Sequence, residues 1–130
     1  MTALTILSWK INSLQGSIPS ELGQLSNLTD FKLHENYMSG SIPTEMGLLN
    51  RLIYLGLDKN ALNGLVPSEL ALLTALESLT FMNNALSGSL PSEFGLLKSL
   101  QVMYINDNVL FGTLPSELGT LERLEELYVS

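Results

Sequence analysis

The chain has 130 residues, 45% of them hydrophobic and 15% charged, with a formal net charge of −7 and no cysteine. That apolar content excludes a disordered tail, and the acidity argues against a general phosphate-binding surface. The missing thiols exclude disulfides, thiolate chemistry and cysteine-ligated metals, and no apolar run is long enough to span a bilayer.

Met1, Thr2 and Ala3 lead straight into the first patterned segment, without the basic stretch and apolar run of a signal peptide. Leu4 opens a unit in which Leu7 and Trp9 alternate with Ile6, Ser8 and Lys10, the period-two signature of a strand. Asn12 follows the strand, then Leu14, Gly16, Ile18 and Pro19. Ser20 and Glu21 open a segment too short for an ordinary α-helix, in which Ser20 is placed to cap one helical turn. Leu25 closes the unit, and the pattern restarts at Leu28, Leu52, Leu76 and Leu100, with a partial sixth copy from Leu124.

The step is 24 residues throughout, with no insertion. Asn recurs at 12, 36, 60, 84 and 108; Gly at 16, 40, 64, 88 and 112; and all five prolines at 19, 43, 67, 91 and 115. Self-similarity at a fixed period is the mark of a solenoid, in which each unit buries its apolar side only against its neighbours. Two inward strand rows are expected, Leu7, Phe31, Leu55, Leu79, Met103, Leu127 and Trp9, Leu33, Leu57, Phe81, Ile105, Val129. Further core rows run through Leu14 to Leu110, Ile18 to Leu114 and Leu25 to Leu121. The row Asn12, Asn36, Asn60, Asn84, Asn108 sits where the chain leaves the strand, so its amides are expected to bond backbone groups that the turn leaves unpaired. Pro is expected to stop strand pairing, and Ser20, Thr44, Ser68, Ser92 and Ser116 to cap the turns. Glu21, Glu45, Glu69, Glu93 and Glu117 form an acidic rim on the convex side.

The unit from Leu52 to Ala75 reads LxxLxLxxNxL followed by GxφP, φ being aliphatic. It resembles the plant-type leucine-rich repeat of receptor-like kinase ectodomains and polygalacturonase-inhibiting proteins, and the resemblance covers Leu4 to Ser130. It implies an α/β leucine-rich-repeat solenoid, a right-handed β/α superhelix forming an open horseshoe segment. A parallel sheet would line its concave side and short 3-10 turns its convex side. Family members usually flank the array with cysteine-paired caps, so residues 1–130 are expected to be one array cut from a longer protein, lacking both caps.

Outward strand positions should form lateral ladders on the concave face. These are Ile6, Asp30, Tyr54, Ser78, Val102, Glu126; Ser8, Lys32, Gly56, Thr80, Tyr104, Tyr128; Lys10, His34, Asp58, Met82, Asn106, Ser130; and Ile11, Glu35, Lys59, Asn83, Asp107. Unlike the core rows, they do not repeat. Asp30, Lys32, His34, Tyr54, Asp58, Met82, Tyr104, Asn106, Glu126 and Tyr128 are therefore the candidate ligand contacts. Tyr54, Met82, Tyr104 and Tyr128 are the best anchors among them, since large amphipathic side chains dominate hot spots. Lys10, Lys32 and Lys59 lie toward the N-terminal half, whereas Glu77, Asp107, Glu125 and Glu126 crowd the other half without a facing base. A basic protein or peptide partner is the expectation.

His34, the only histidine, is expected in an ordinary ion pair with Glu35, Asp58 or Asp30, a lone His on an open face being a poor metal site or general base. No cofactor motif, metal set or nucleophile constellation accompanies it, so binding rather than catalysis is expected, a kinase domain lying, if anywhere, outside this segment. Asn27-Leu28-Thr29 is a glycosylation sequon expected to be exposed. Hormone receptors of the family often hold a peptide carboxylate with a pair of arginines on the inner face; here Arg51 and Arg123 fall at connections instead. The leading reading is a recognition segment of a cell-surface receptor-like or secreted protein. The others are an intracellular scaffold and an extracellular enzyme inhibitor or carbohydrate binder.

Overall fold

The computed structural model describes residues 4–129; Ser130, expected at the end of the third concave ladder, lies outside them. Strands β1 (Ile6–Ser8), β3 (Asp30–Lys32), β5 (Tyr54–Gly56), β7 (Ser78–Thr80), β9 (Val102–Tyr104) and β11 (Glu126–Tyr128) form one six-stranded parallel sheet in chain order. They pair in strict register, Ile6 beside Asp30, Tyr54 beside Ser78, Val102 beside Glu126, so equivalent residues of successive units are neighbours.

A second, five-stranded parallel sheet was not read from the sequence. It comprises β2 (Gln15–Gly16), β4 (Tyr37–Gly40), β6 (Ala61–Leu65), β8 (Ala85–Gly88) and β10 (Val109–Leu110). Its register steps by 22 rather than 24, with Ser39 beside Ala61 and Asn63 beside Ala85. The two sheets advance differently, so each unit is turned relative to the one before it. Between them the chain passes through a left-handed residue at each turn, Ile11, Glu35, Lys59, Asn83 and Asp107, with φ between 52° and 59°. Each lies one position before its Asn.

Five 3-10 turns of five residues, the first Ser20–Gln24, return the chain to the next strand. Their cap differs from expectation. Proline takes the N-cap position, and the following Ser or Thr makes no cap hydrogen bond. Proline fixes φ, and the N–H it lacks has no helical partner at such an end. The hydroxyls of Thr44, Ser92 and Ser116 instead donate to the adjacent Glu45, Glu93 and Glu117. The turns stack tightly: a Cβ on Gly23 would collide with the Glu45 carbonyl oxygen.

The inner rows pack into one core. Phe31, Phe81 and Phe94 and most inner leucines from Leu28 to Leu100 are buried. The same rows open at both ends of the described array. Trp9, Leu14, Leu114, Leu127 and Val129, expected in the core, are exposed. Each lacks the neighbouring unit that covers its equivalents.

Candidate binding face

The concave sheet carries three distinct clusters. On β9 and β11, the Tyr104 hydroxyl donates to a Glu126 carboxylate oxygen in a short contact. The rings of Tyr104 and Tyr128 meet edge to face with centroids 4.9 Å apart. The carboxylate acceptor favours the protonated phenol, and with minor contributions from burial and neighbouring charge it pushes the Tyr104 pKa up to about 12. Glu126 and Tyr128 are exposed and Tyr104 is half-buried. Beside them the Asn106 amide donates to Asp107.

The second cluster lies on β3 and β5. Lys32 Nζ stands 2.8 Å from Asp30 Oδ1 and 5.2 Å from the centre of the Tyr54 ring, an ion pair capped by a cation–π contact. The hydrogen bond from Lys32 is the main reason the Asp30 carboxyl titrates below its ordinary range. Tyr54 lies across Gly56, where a Cβ would approach the ring to 2.7 Å. The missing side chain of Gly56 therefore gives Tyr54 its seat. Lys59 pairs with Glu35 at 3.0 Å. Among the described residues these are the two ion pairs, so Lys32 and Lys59 are locally neutralised. The acids of the C-terminal half, Glu77, Asp107, Glu125 and Glu126, have no basic partner.

The third cluster corrects the expected face. Asp58 is not an open contact: it is 8% exposed, accepting a 2.8 Å hydrogen bond from Thr80 Oγ1 and a 3.2 Å bond from the Met82 backbone N–H. Burial raises its pKa, only partly offset by those bonds. Thr80 and Gly56, also placed on the face by alternation, are buried. Asp58 thus fastens unit three to unit four, and Thr80, which sequence reasoning did not assign, is its partner. The signal was available: a short hydroxyl residue 22 positions after an acid sits diagonally beside it on the next strand. His34 is half-buried and forms no ion pair among the described residues, contrary to expectation; its Nδ1 is buried without a hydrogen-bond partner. Met82 is half-buried beside this cluster.

Behind the face, the asparagines join successive units. Asn60 Nδ2 donates to Leu33, Leu57 and Asp58 carbonyls, each at 3.1 Å, while its Oδ1 accepts the Met38 N–H at 3.0 Å. Asn36, Asn84 and Asn108 repeat the arrangement. Asn12 departs from it, being exposed and bonding only the nearby Trp9 and Lys10 carbonyls. Asn27 is half-buried rather than exposed, its Oδ1 accepting a 3.0 Å hydrogen bond from Arg51. Among the described residues no group of three or more His, Cys, Asp or Glu is placed to hold a metal ion, and no helix is long and apolar enough to cross a membrane.

The sequence profile described as Leucine Rich Repeat matches residues 75–97 and 99–121. No curated protein sequence matches the chain. Among solved structures, the chain is 32% identical to the ectodomain of the Arabidopsis receptor kinase HAESA, crystallised with an N-terminally extended IDA peptide hormone ligand. That match covers 99% of this chain and 22% of the receptor chain, with a TM-score of 0.95. It is 34% identical to the plant peptide hormone receptor RGFR1, crystallised with RGF2, over 95% of this chain and 20% of the receptor, with a TM-score of 0.94. It is 31% identical to a chain of the BIR3–SERK2 complex from Arabidopsis thaliana, over 95% of this chain and 68% of that one, with a TM-score of 0.79. The chain thus spans about a fifth of the peptide-bound receptors it matches. With its 24-residue units, paired parallel sheets and 3-10 turns, this chain belongs to the leucine-rich-repeat family and is similar to the plant-type arrays of receptor-kinase ectodomains.

Proposed function

We propose that this chain is a protein- or peptide-recognition segment of a longer cell-surface array. Its concave face would hold an extended ligand with basic residues over the C-terminal strands. The observation that carries the reading is the imbalance of that face. Lys32 and Lys59 of its N-terminal half are already paired with Asp30 and Glu35, whereas Glu77, Asp107, Glu125 and Glu126 have no basic partner around the Tyr104–Tyr128 pair. A ligand Lys or Arg would find both an acid and an aromatic ring face there. HAESA and RGFR1, which share this architecture, are crystallised with peptides, and this supports an extracellular recognition role rather than catalysis. Occupancy of Asn27 by glycan in the native protein would support the same compartment.

Calorimetric titration with short peptides rich in Lys and Arg, and with matched peptides carrying Gln instead, tests this. Only the basic members should bind, more weakly as salt rises. The double variant Glu125→Gln/Glu126→Gln should lower affinity roughly five- to tenfold and flatten the salt dependence. Unchanged affinity and salt dependence would place the ligand elsewhere.

A further inference from the structure

The concave face already holds one ammonium group, and the setting of that group recurs further along the array without it. In unit two, Lys32 Nζ stands 2.8 Å from Asp30 Oδ1 and 5.2 Å from the centre of the Tyr54 ring. Tyr54 comes from the next strand, directly beside Asp30. The cation therefore lies between a carboxylate two residues back on its own strand and an aromatic face. Four repeats further on, Glu126 takes the position of Asp30 and Tyr128 that of Lys32. Aromatic rings stand beside the acid there too, since Tyr104 is the direct neighbour of Tyr128. The lysine is what this copy lacks: Glu126 is exposed and has no basic partner among the described residues.

We infer that Glu126, Tyr104 and Tyr128 form a subsite for one lysine ammonium of the ligand, and that it prefers lysine to arginine. This rests on the reading of the concave face as a surface for basic peptides and narrows which base it takes. Two features set the preference. The first is the carboxylate. The Tyr104 hydroxyl donates to one Glu126 oxygen. An ammonium is a compact point charge and shares the carboxylate with that hydroxyl. A guanidinium draws its advantage from two parallel bonds to both oxygens, and here it must displace the hydroxyl to make them. The second feature is the ring geometry. The Tyr104 and Tyr128 planes stand at 90° with centroids 4.9 Å apart, so the two ring faces bound a corner rather than one flat wall. A planar guanidinium stacks on a single face, whereas an ammonium in the corner lies near both. Tyr128 is 58% exposed, which leaves the corner open to the ligand. Lys32 shows the same combination of acid, ring and ammonium satisfied from within the chain.

The test uses one short peptide of alternating glycine and base, made in an all-lysine and an all-arginine version. Each is titrated into the whole chain by calorimetry, and the ring protons of Tyr128 are followed by NMR to place the contact. The lysine version should bind about three- to fivefold more tightly and should shift the Tyr128 signals. Tyr104→Phe keeps the ring and frees the Glu126 oxygen, so arginine should gain and the ratio should fall to about one. An unchanged Tm shows that the variant folds. Arginine binding the parent as tightly as lysine, a preference untouched by Tyr104→Phe, or binding that leaves the Tyr128 signals still would each overturn this inference while leaving the basic-peptide reading standing. If neither version binds, both fail together.

Discussion

Two rows of the molecule run side by side across the same units and behave in opposite ways. From unit two onward each asparagine makes the same set of bonds, reaching back to carbonyls of its own and the preceding unit and accepting an N–H 22 residues earlier. The concave rows a few residues away hold a different side chain in each unit. There the contacts are particular to one place: an ion pair at Lys32, a buried acid at Asp58, a phenol–carboxylate bond at Tyr104. Repetition marks positions that each unit needs from its neighbour. Variation marks positions that the stack leaves free, and those are the ones open to a ligand.

The sharpest way to break that contrast is to remove a repeated amide. Asn60→Ala deletes four hydrogen bonds and orphans the Met38 N–H, while the three carbonyls keep the second donors Asn36, Asn84 and the Glu35 N–H. The expected loss is about 2–4 kcal/mol, the net value of the lost bonds plus the desolvation cost of the orphaned N–H. Asn12→Ala removes two local contacts from an exposed residue and should cost under about 0.5 kcal/mol. Denaturant unfolding of both variants checks this. Equal effects would mean that the row is not what ties the units together.

The repeated rows were legible for a physical reason. A 24-residue period exposes the strand, the asparagine turn and the core rows at once, since each unit reuses the same backbone. The second sheet was not legible. Strands of two to five residues leave too few positions for an alternation to stand out, and their register of 22 is hidden by a sequence period of 24. The concave face was legible as a face but not in its interior detail. Alternation sends Asp58 and Thr80 outward, yet both are buried and bonded to each other, with the Met82 backbone N–H on the same carboxylate. Nor could the sequence show that Tyr54 reclines on Gly56.

Asp58 sharpens the comparison from the variable side. Burial raises its pKa in the folded chain. Such a group contributes most to stability below its unfolded pKa, and that contribution is lost as the pH rises through the folded value, so the carboxylate is a cost at neutral pH. Asn at this position keeps an acceptor for the Met82 N–H and a partner for Thr80 without the charge. Asp58→Asn should therefore hold or raise stability at neutral pH, by up to about 1 kcal/mol. Asp30 works in the opposite sense. Its lowered pKa gives stability present above the unfolded value and lost as the pH falls through the folded one. With Asp58 silenced, acid should destabilise the variant more steeply than the parent. A parallel pH profile would show that the Asp58 charge carries no cost.

The smallest effect belongs to the most exposed cluster and shows in titration rather than stability. Glu126→Gln should leave unfolding unchanged within about 0.5 kcal/mol. It removes the charge that holds the Tyr104 proton, so the late phenol should move from about 12 toward the ordinary tyrosine value of about 10. The ultraviolet absorbance of tyrosinate follows this directly, and Tyr104→Phe identifies the late step by deleting it. If the late step survives Glu126→Gln, the carboxylate is not its cause. A basic peptide seated on Glu126 competes for the same oxygen and should draw the Tyr104 titration downward as it binds. A peptide that binds without moving it must sit elsewhere on the sheet, so one absorbance titration locates a ligand on the face and shows whether the acidic platform is what it contacts.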